Sequence, residues 1–185
     1  MRIHKIIIIS IFLFLTTALQ AQNTLSKKEK KVAKQALEKA QGDSIRAIQE
    51  TWVENKTFVL EAQQVYNKTG EVFHLNASTN FVYFNLDKGV IQLSFNGLLG
   101  WNGIGGITVK GNITKYEYRK DKKDKPIYIQ ATILGSEGIQ DIVIWISNNG
   151  KGEAQVTGMK GNRIRFTGNI VSLEKSGVFI GSERF

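Results

Sequence analysis

Few residue types in this 185-residue chain could carry acid–base, nucleophilic or metal chemistry. The chain contains no cysteine, which excludes thiol catalysis, thiolate metal sites and redox exchange. His4 lies in the leading segment, so His74 is the one histidine in the rest of the chain. A metal site or a Ser-His-Asp triad needs several partners at defined spacing, and none is recognisable around His74. We predict no metal and no cofactor, and an enzyme is the less favoured interpretation.

The most unusual stretch is Gly97-Leu-Leu-Gly-Trp-Asn-Gly-Ile-Gly-Gly106, in which glycines alternate with apolar side chains. It is not a phosphate loop, because no Gly-Lys-Ser/Thr follows it. Two interpretations are open: a mobile apolar lip over a ligand cavity, or a loop whose Trp101 plugs one end of a β domain. The candidate ligand-binding residues are Leu98, Leu99, Trp101, Asn102 and Ile104. Aromatic residues that alternate along strands, such as Tyr128 and Trp145, are predicted to be mostly core.

A basic run between two strand-like segments is the candidate anion-binding site. Its cations are Arg119, Lys120, Lys122, Lys123 and Lys125, and two aspartates are interspersed with them. The run is typical of a solvated hairpin tip, and it could also bind a phosphate or an anionic lipid headgroup.

The tripeptide Asp43-Ser44-Ile45 resembles the acceptor for periplasmic O-glycosylation in some Gram-negative bacteria. Ser44 is therefore a candidate glycosylation site. The alternative is that Asp43 or Ser44 caps the start of a second helix.

The first residues have the organisation of a secretory signal peptide. A cationic start that ends at Lys5 precedes the apolar run Ile6 to Leu15, and small residues then lead to Ala21. No cysteine follows to accept a lipid, and no second apolar run reaches the roughly 18 residues of a membrane span. We expect residues 1–21 to be removed and the protein to be soluble in the periplasm or outside the cell. Export also argues against nucleic acid as a partner.

The next segment has helical periodicity and many lysines. Ser26 and Glu29 form a capping box, which predicts a helix over 27–41. Gly42-Asp43-Ser44 predicts a break or kink, and a second amphipathic stretch ends near Glu54. We expect this basic arm to lie on the rest of the chain or to extend as a tether.

From Thr57 the apolar period changes to two, and β-branched and aromatic residues dominate. Short Gly- and Asn-containing turns predict antiparallel neighbours. The fold class is therefore mainly β, a barrel-like or sandwich meander of about ten strands after an N-terminal helical segment. The predicted strands lie near 57–66, 71–77, 80–86, 90–96, 106–118, 127–134, 139–147, 153–159, 163–171 and 177–181. The predicted organisation is a signal peptide (1–21), a basic helical segment (22–54) and an antiparallel β domain (55–185).

Three stretches carry a family resemblance: Lys56-Thr-Phe-Val-Leu-Glu-Ala62, Thr79-Asn-Phe-Val-Tyr-Phe84 and Gly100-Trp-Asn-Gly-Ile-Gly-Gly-Ile-Thr108. With them the chain resembles the domain of unknown function 4251 family, small exported proteins of Gram-negative bacteria. The resemblance covers nearly all of the mature chain. It implies an exported all-β protein and supplies no activity, substrate or catalytic residue.

Three functions follow as hypotheses. The leading one is a non-enzymatic envelope protein that binds an apolar or amphipathic ligand, because barrels of about eight strands can hold one small molecule. The second is an interaction or scaffolding module whose basic arm and 119–125 run bind an anionic envelope component. The third is an enzyme that uses carboxylates gathered from several strands. No oligomeric state is predicted.

Overall fold

The structure is a computed structural model that describes residues 26–66, 69–94, 106–121, 125–158 and 163–181. Its first element is a 29-residue helix, α1 (Lys27–Asn55). Within the described residues, no helix combines the length and apolar character needed to cross a bilayer.

Helix α1 is continuous, so a break at 42–44 is wrong, and a kink there stays a prediction. Glycine inside a helix costs only about 1 kcal/mol relative to alanine. The turns that follow bury Arg46, Gln49 and Val53. Because burial of one apolar side chain is worth about 1.5–3 kcal/mol, the burial of Val53 outweighs the cost of Gly42 to the helix.

The chain divides into two compact units between Gln41 and Gly42. In the first unit, the predicted capping box is confirmed: Ser26 N donates to Glu29 Oε2 at 2.7 Å, and Glu29 N donates to Ser26 Oγ at 3.3 Å. Every described residue of this unit, 26–41, is exposed. Its helix is therefore stabilised by its cap and by exposed pairs such as Lys34–Glu38, not by a core.

The second unit contains the end of α1 and nine described strands in one antiparallel sheet. The strands are β1 (Thr57–Tyr66), β2 (Val72–His74), β3 (Phe81–Asn85), β4 (Lys88–Ser94), β5 (Gly106–Lys120), β6 (Ile127–Gly135), β7 (Gly138–Ile146), β8 (Lys151–Gly158) and β9 (Arg163–Ser172). A short 3-10 helix, η1 (Leu173–Lys175), follows.

Eight of the strands close into a barrel, which confirms the predicted fold class. Each strand from β3 to β9 pairs with the next, and β9 returns to β1 with Phe58 opposite Ser172 and Tyr66 opposite Arg165. The first half of β1 pairs with β3. Its second half pairs with β2, the one described strand that is not among the eight of the barrel. Closure removes the two long edges that an open sheet would expose.

The interior of the barrel is filled by side chains. The isoleucines at 127, 129 and 133 of β6 and at 142, 144 and 146 of β7 point inward and have no accessible area, and the rings of Phe58, Phe84 and Phe166 are equally buried. A side chain without accessible area touches no void that admits a water molecule. The described interior is therefore a packed core, as expected for a barrel of eight strands.

The end of α1 closes the core at one side. Val53 belongs to the interior apolar cluster, and Trp52 packs against it. The Tyr116 hydroxyl donates to the Val53 carbonyl at 2.9 Å, and burial raises the pKa of Tyr116 well above its usual range. Arg46, 2% exposed, donates from Nη1 to the Asn148 amide oxygen at 3.1 Å. This part of the predicted arm therefore packs on the barrel.

The segment after η1 covers the outer face of β1, β3 and β4, and the strand predicted over 177–181 is wrong. Val178 packs against an outer apolar cluster, but Phe179 makes a single described backbone bond to Ser78 at 2.7 Å. Side chains hold the segment instead. Gln92 donates to the Phe179 carbonyl at 2.7 Å and accepts from Gly181 N at 2.8 Å.

Leu86 begins the two-residue turn between β3 and β4 with a φ of 57°, and its side chain is 61% exposed. A side chain in this left-handed region costs roughly 1–2 kcal/mol, and glycine avoids that cost. We expect Leu86→Gly to raise the free energy of unfolding by about 1 kcal/mol, measured by urea denaturation. Leu86→Ala keeps the Cβ atom and should bring no gain. An equal gain from alanine would show that strain at Leu86 is not the cause.

Candidate functional site

A groove of about 500 Å³ lies on the outer face of the barrel, across β7, β8, β9 and β1. The residues that line it are Gln63, Gln64, Pro126, Trp145, Ser147, Lys151, Gly152, Glu153, Thr167 and Gly168. Most of the accessible lining surface is apolar, and Trp145 is the largest apolar side chain among the lining residues.

The strand register places several lining side chains in one line across the sheet. Each pair of neighbours in this line is a cross-strand pair, so the residues share one face of the sheet. We call this line the transverse row, and its members are Arg119, Tyr128, Trp145, Glu153, Thr167 and Gln64.

The aromatic part of the row is held in place by ring contacts. The Arg119 guanidinium lies 4.7 Å from the centre of the Tyr128 ring. The Tyr128 and Trp145 ring centres are 5.9 Å apart, and the rings meet edge to face at 68°. Such pairs contribute about 0.5–1.5 kcal/mol beyond area burial. The indole is therefore oriented before any ligand arrives. Tyr128 and Trp145 lie half-buried on the outer face, so their prediction as core residues is wrong.

The polar part of the row is also connected. Glu153 pairs with Arg165 at 3.6 Å, and Thr167 Oγ1 donates to Gln64 Oε1 at 3.4 Å. Lys151 Nζ donates to the Asn169 side chain at 2.7 Å. Among the described lining residues, Glu153 is the one carboxylate.

Two features of the backbone shape the groove. Gly152 and Gly168 are cross-strand partners in its floor, and a Cβ at Gly168 would clash with the backbone of Glu61. The β1–β9 register shifts between Ala62 and Gln64, as in a β-bulge. Consecutive residues of a regular strand face opposite sides, so the bulge explains how Gln63 and Gln64 both reach the groove.

The structure places only part of the predicted sites. The candidate ligand-binding residues Leu98, Leu99, Trp101, Asn102 and Ile104 lie outside the described residues, as do Lys122 and Lys123 of the basic run. The ligand and anion assignments for them stay predictions.

Two of the three described members of the basic run, Lys120 and Arg119, already have partners. The Lys120 ammonium pairs with Glu54 and, at 3.5 Å, with Glu50, and the hydrogen bond that it donates to Glu54 raises the pKa of Lys120. A hydrogen bond from Arg46 lowers the pKa of Glu50. Together with the stacking of Arg119 on Tyr128, these contacts engage two of the cations that the run could present to an anion.

Ser44 is exposed inside the continuous helix α1. It therefore cannot cap a second helix, and that alternative is wrong. Glycosylation at Ser44 stays a prediction.

Comparison with known proteins identifies the family. Residues 39–170 match the family described as "Domain of unknown function (DUF4251)". The chain belongs to the DUF4251 family. The resemblance predicted from the sequence is thereby confirmed. None of the curated proteins is similar enough to count as a match.

A solved DUF4251 structure is also similar to the chain. It is the crystal structure of a DUF4251 family protein from Bacteroides eggerthii DSM 20697, which is 26% identical in sequence. The comparison covers 75% of this chain and 92% of the other, with a TM-score of 0.62. The barrel described above therefore agrees with an experimental structure from the same family.

Proposed function

We propose that this DUF4251 protein is an exported, non-enzymatic binding protein of the cell envelope that holds an amphipathic ligand in the outer groove. The observation that carries the proposal is Trp145, which Tyr128 holds edge to face beside Glu153 in a groove of about 500 Å³. Ligand sites in proteins combine such apolar surface with a few fixed polar groups.

Packing of the barrel favours the outer face as the place for the ligand. The large interior side chains have no accessible area, so a ligand there would have to displace core residues. Displacing packed side chains costs several kcal/mol. The groove already exists on the outside and needs no such rearrangement.

The carboxylate content of the groove supports binding rather than catalysis. Acid–base hydrolysis of the glycosidase type uses two carboxylates on either side of the scissile bond. Glu153 is the one carboxylate among the described lining residues, and it pairs with Arg165 at 3.6 Å. The carboxylate-enzyme hypothesis therefore has no support at this groove.

The leading segment supports export. The cationic start, the apolar run Ile6 to Leu15 and the small residues before Ala21 have the order of a signal peptide. The envelope location in the proposal rests on this pattern.

A scaffolding role remains the second proposal. Residues 27–41 of α1 are all exposed and contain six lysines against two glutamates. Such a helix suits an anionic surface in the envelope. The groove is favoured over it because the groove contains oriented side chains.

Trp145→Ala tests the groove. We expect native mass spectrometry of the exported wild-type protein, purified without detergent, to show a bound small molecule. The variant should retain at least tenfold less of it, because loss of the indole removes the main apolar contact. Its melting temperature should fall only slightly, since the side chain lies on the outer face.

Val143→Ala is the matched control, because Val143 is a half-buried outer residue of the same strand that does not line the groove. It should retain the small molecule. A wild-type protein at its bare mass, or equal losses in both variants, would contradict the proposal.

A further inference from the structure

We infer that the ligand of the groove is a neutral glycan, an oligosaccharide chain that lies across the strands along the transverse row. The inference rests on the proposed binding function and names its ligand class. It is carried by one juxtaposition: an oriented indole, a carboxylate, a hydroxyl and an amide in consecutive cross-strand positions, Trp145, Glu153, Thr167 and Gln64.

The composition of the lining distinguishes a sugar from an acyl chain. Six of the ten lining residues have polar or charged side chains, although most of the accessible lining surface is apolar. A fatty chain would remove the polar groups from water and return no hydrogen bonds, which costs about 1–3 kcal/mol per group. Sugar hydroxyls both donate and accept, so they can replace that water at amides and hydroxyls.

The indole matches the apolar face of a sugar ring. The face of an aromatic ring is electron-rich, and the C–H groups of a pyranose are weakly positive. Trp145 lines the groove, and the contact with Tyr128 fixes its orientation. The apolar face of a sugar can therefore stack on the indole while its hydroxyls reach the polar residues.

The charges of the groove favour a neutral ligand. Lys151 and Glu153 are the two charged lining residues, and their charges are opposite. Glu153 pairs with Arg165, and Lys151 donates to Asn169. A phosphate or a sugar acid would gain little net attraction here.

The length of the row favours a chain over a single sugar. Neighbouring strands lie about 4.8 Å apart, so the positions from Trp145 to Gln64 extend over roughly 14 Å. Tyr128 and Arg119 continue the row on the other side of Trp145. More than one ring can therefore contact the row at once.

The experiment screens the full mature protein against an array of neutral and acidic glycans. Calorimetry then follows with cello-oligosaccharides, which lack N-acetyl groups, and chito-oligosaccharides, which carry them. We expect a neutral glycan to bind, with an affinity that rises with chain length and stays constant as salt increases. Trp145→Ala and Glu153→Gln should each weaken binding at least tenfold, and Val143→Ala should not. Glu153→Gln keeps the size of the side chain, so it still tests the groove if Trp145→Ala does not fold.

The outcomes separate this inference from the proposed function. If no neutral glycan binds but native mass spectrometry shows another molecule in the groove, the glycan inference fails and the binding function stands. Detection of a bound acyl lipid or heterocyclic base would be such a result. If the protein binds neither, both fail. Glycan binding that survives Trp145→Ala and Glu153→Gln would overturn the location in the groove.

Discussion

Gly168→Ala is expected to prevent folding or to lower the free energy of unfolding by more than about 4 kcal/mol, an exceptional loss for one methyl group. A Cβ atom at Gly168 would overlap the Glu61 carbonyl oxygen and lie 2.7 Å from its carbon and 2.9 Å from Ala62 Cα. These neighbours are backbone atoms, so no side-chain rotation can relieve the clash. The clash falls on the β1–β9 seam, which closes the barrel.

Gly177→Ala is the control for this prediction. No atom lies within 4 Å of a Cβ there, so the change should be neutral or slightly stabilising. Urea denaturation and the yield of folded protein measure both variants. Similar stability of the two variants would mean that β1 and β9 do not approach as closely as described.

Gln49→Leu is expected to stabilise the protein by about 1–3 kcal/mol. Gln49 is 1% exposed on the side of α1 that faces the core, and neither its Nε2 nor its Oε1 has a hydrogen-bond partner among the described residues. A buried amide without partners loses its bonds to water and gains none. Leucine has a similar size, suits a helix and has no polar atoms to satisfy.

Thermal unfolding measures the effect, and Gln35→Leu is its control. Gln35 lies on the same helix but is exposed, so its replacement should change stability by no more than about 0.5 kcal/mol. A loss of stability in Gln49→Leu would show that the amide has a partner, for example an ordered water molecule.

The strands were predictable because their patterns are strong. In β6 the isoleucines at 127, 129 and 133 alternate with larger or polar residues, and the structure buries that alternate set. The continuity of α1 through 42–44 was not predictable, because the burial of Val53 and the bond from Arg46 to Asn148 favour it from outside the local sequence. The segment 177–181 is a short continuous apolar run between two glycines, but it packs on an outer face and makes little backbone pairing.

The groove was harder to predict than the barrel. A signal for it existed: Trp145 lies between Ile144 and Ile146, and alternation places a residue on the opposite face from two isoleucines that are core. The alignment of Trp145 with Glu153 and Thr167 depends on the register of three successive strands. Each short turn constrains the register of only the two strands that it joins. The bulge at Ala62 and the return of β9 to β1 have no local pattern in the sequence.

The seam between β1 and β9 also sets an order of events for the newly made chain. Val59 pairs with Val171, so the first barrel strand waits for a partner that is synthesised last among the nine described strands. Contacts at such separation bear the largest loop-closure entropy and slow folding. Until β9 arrives, β1 presents an open edge to other chains, and the nascent protein is exposed to aggregation until this strand has been made.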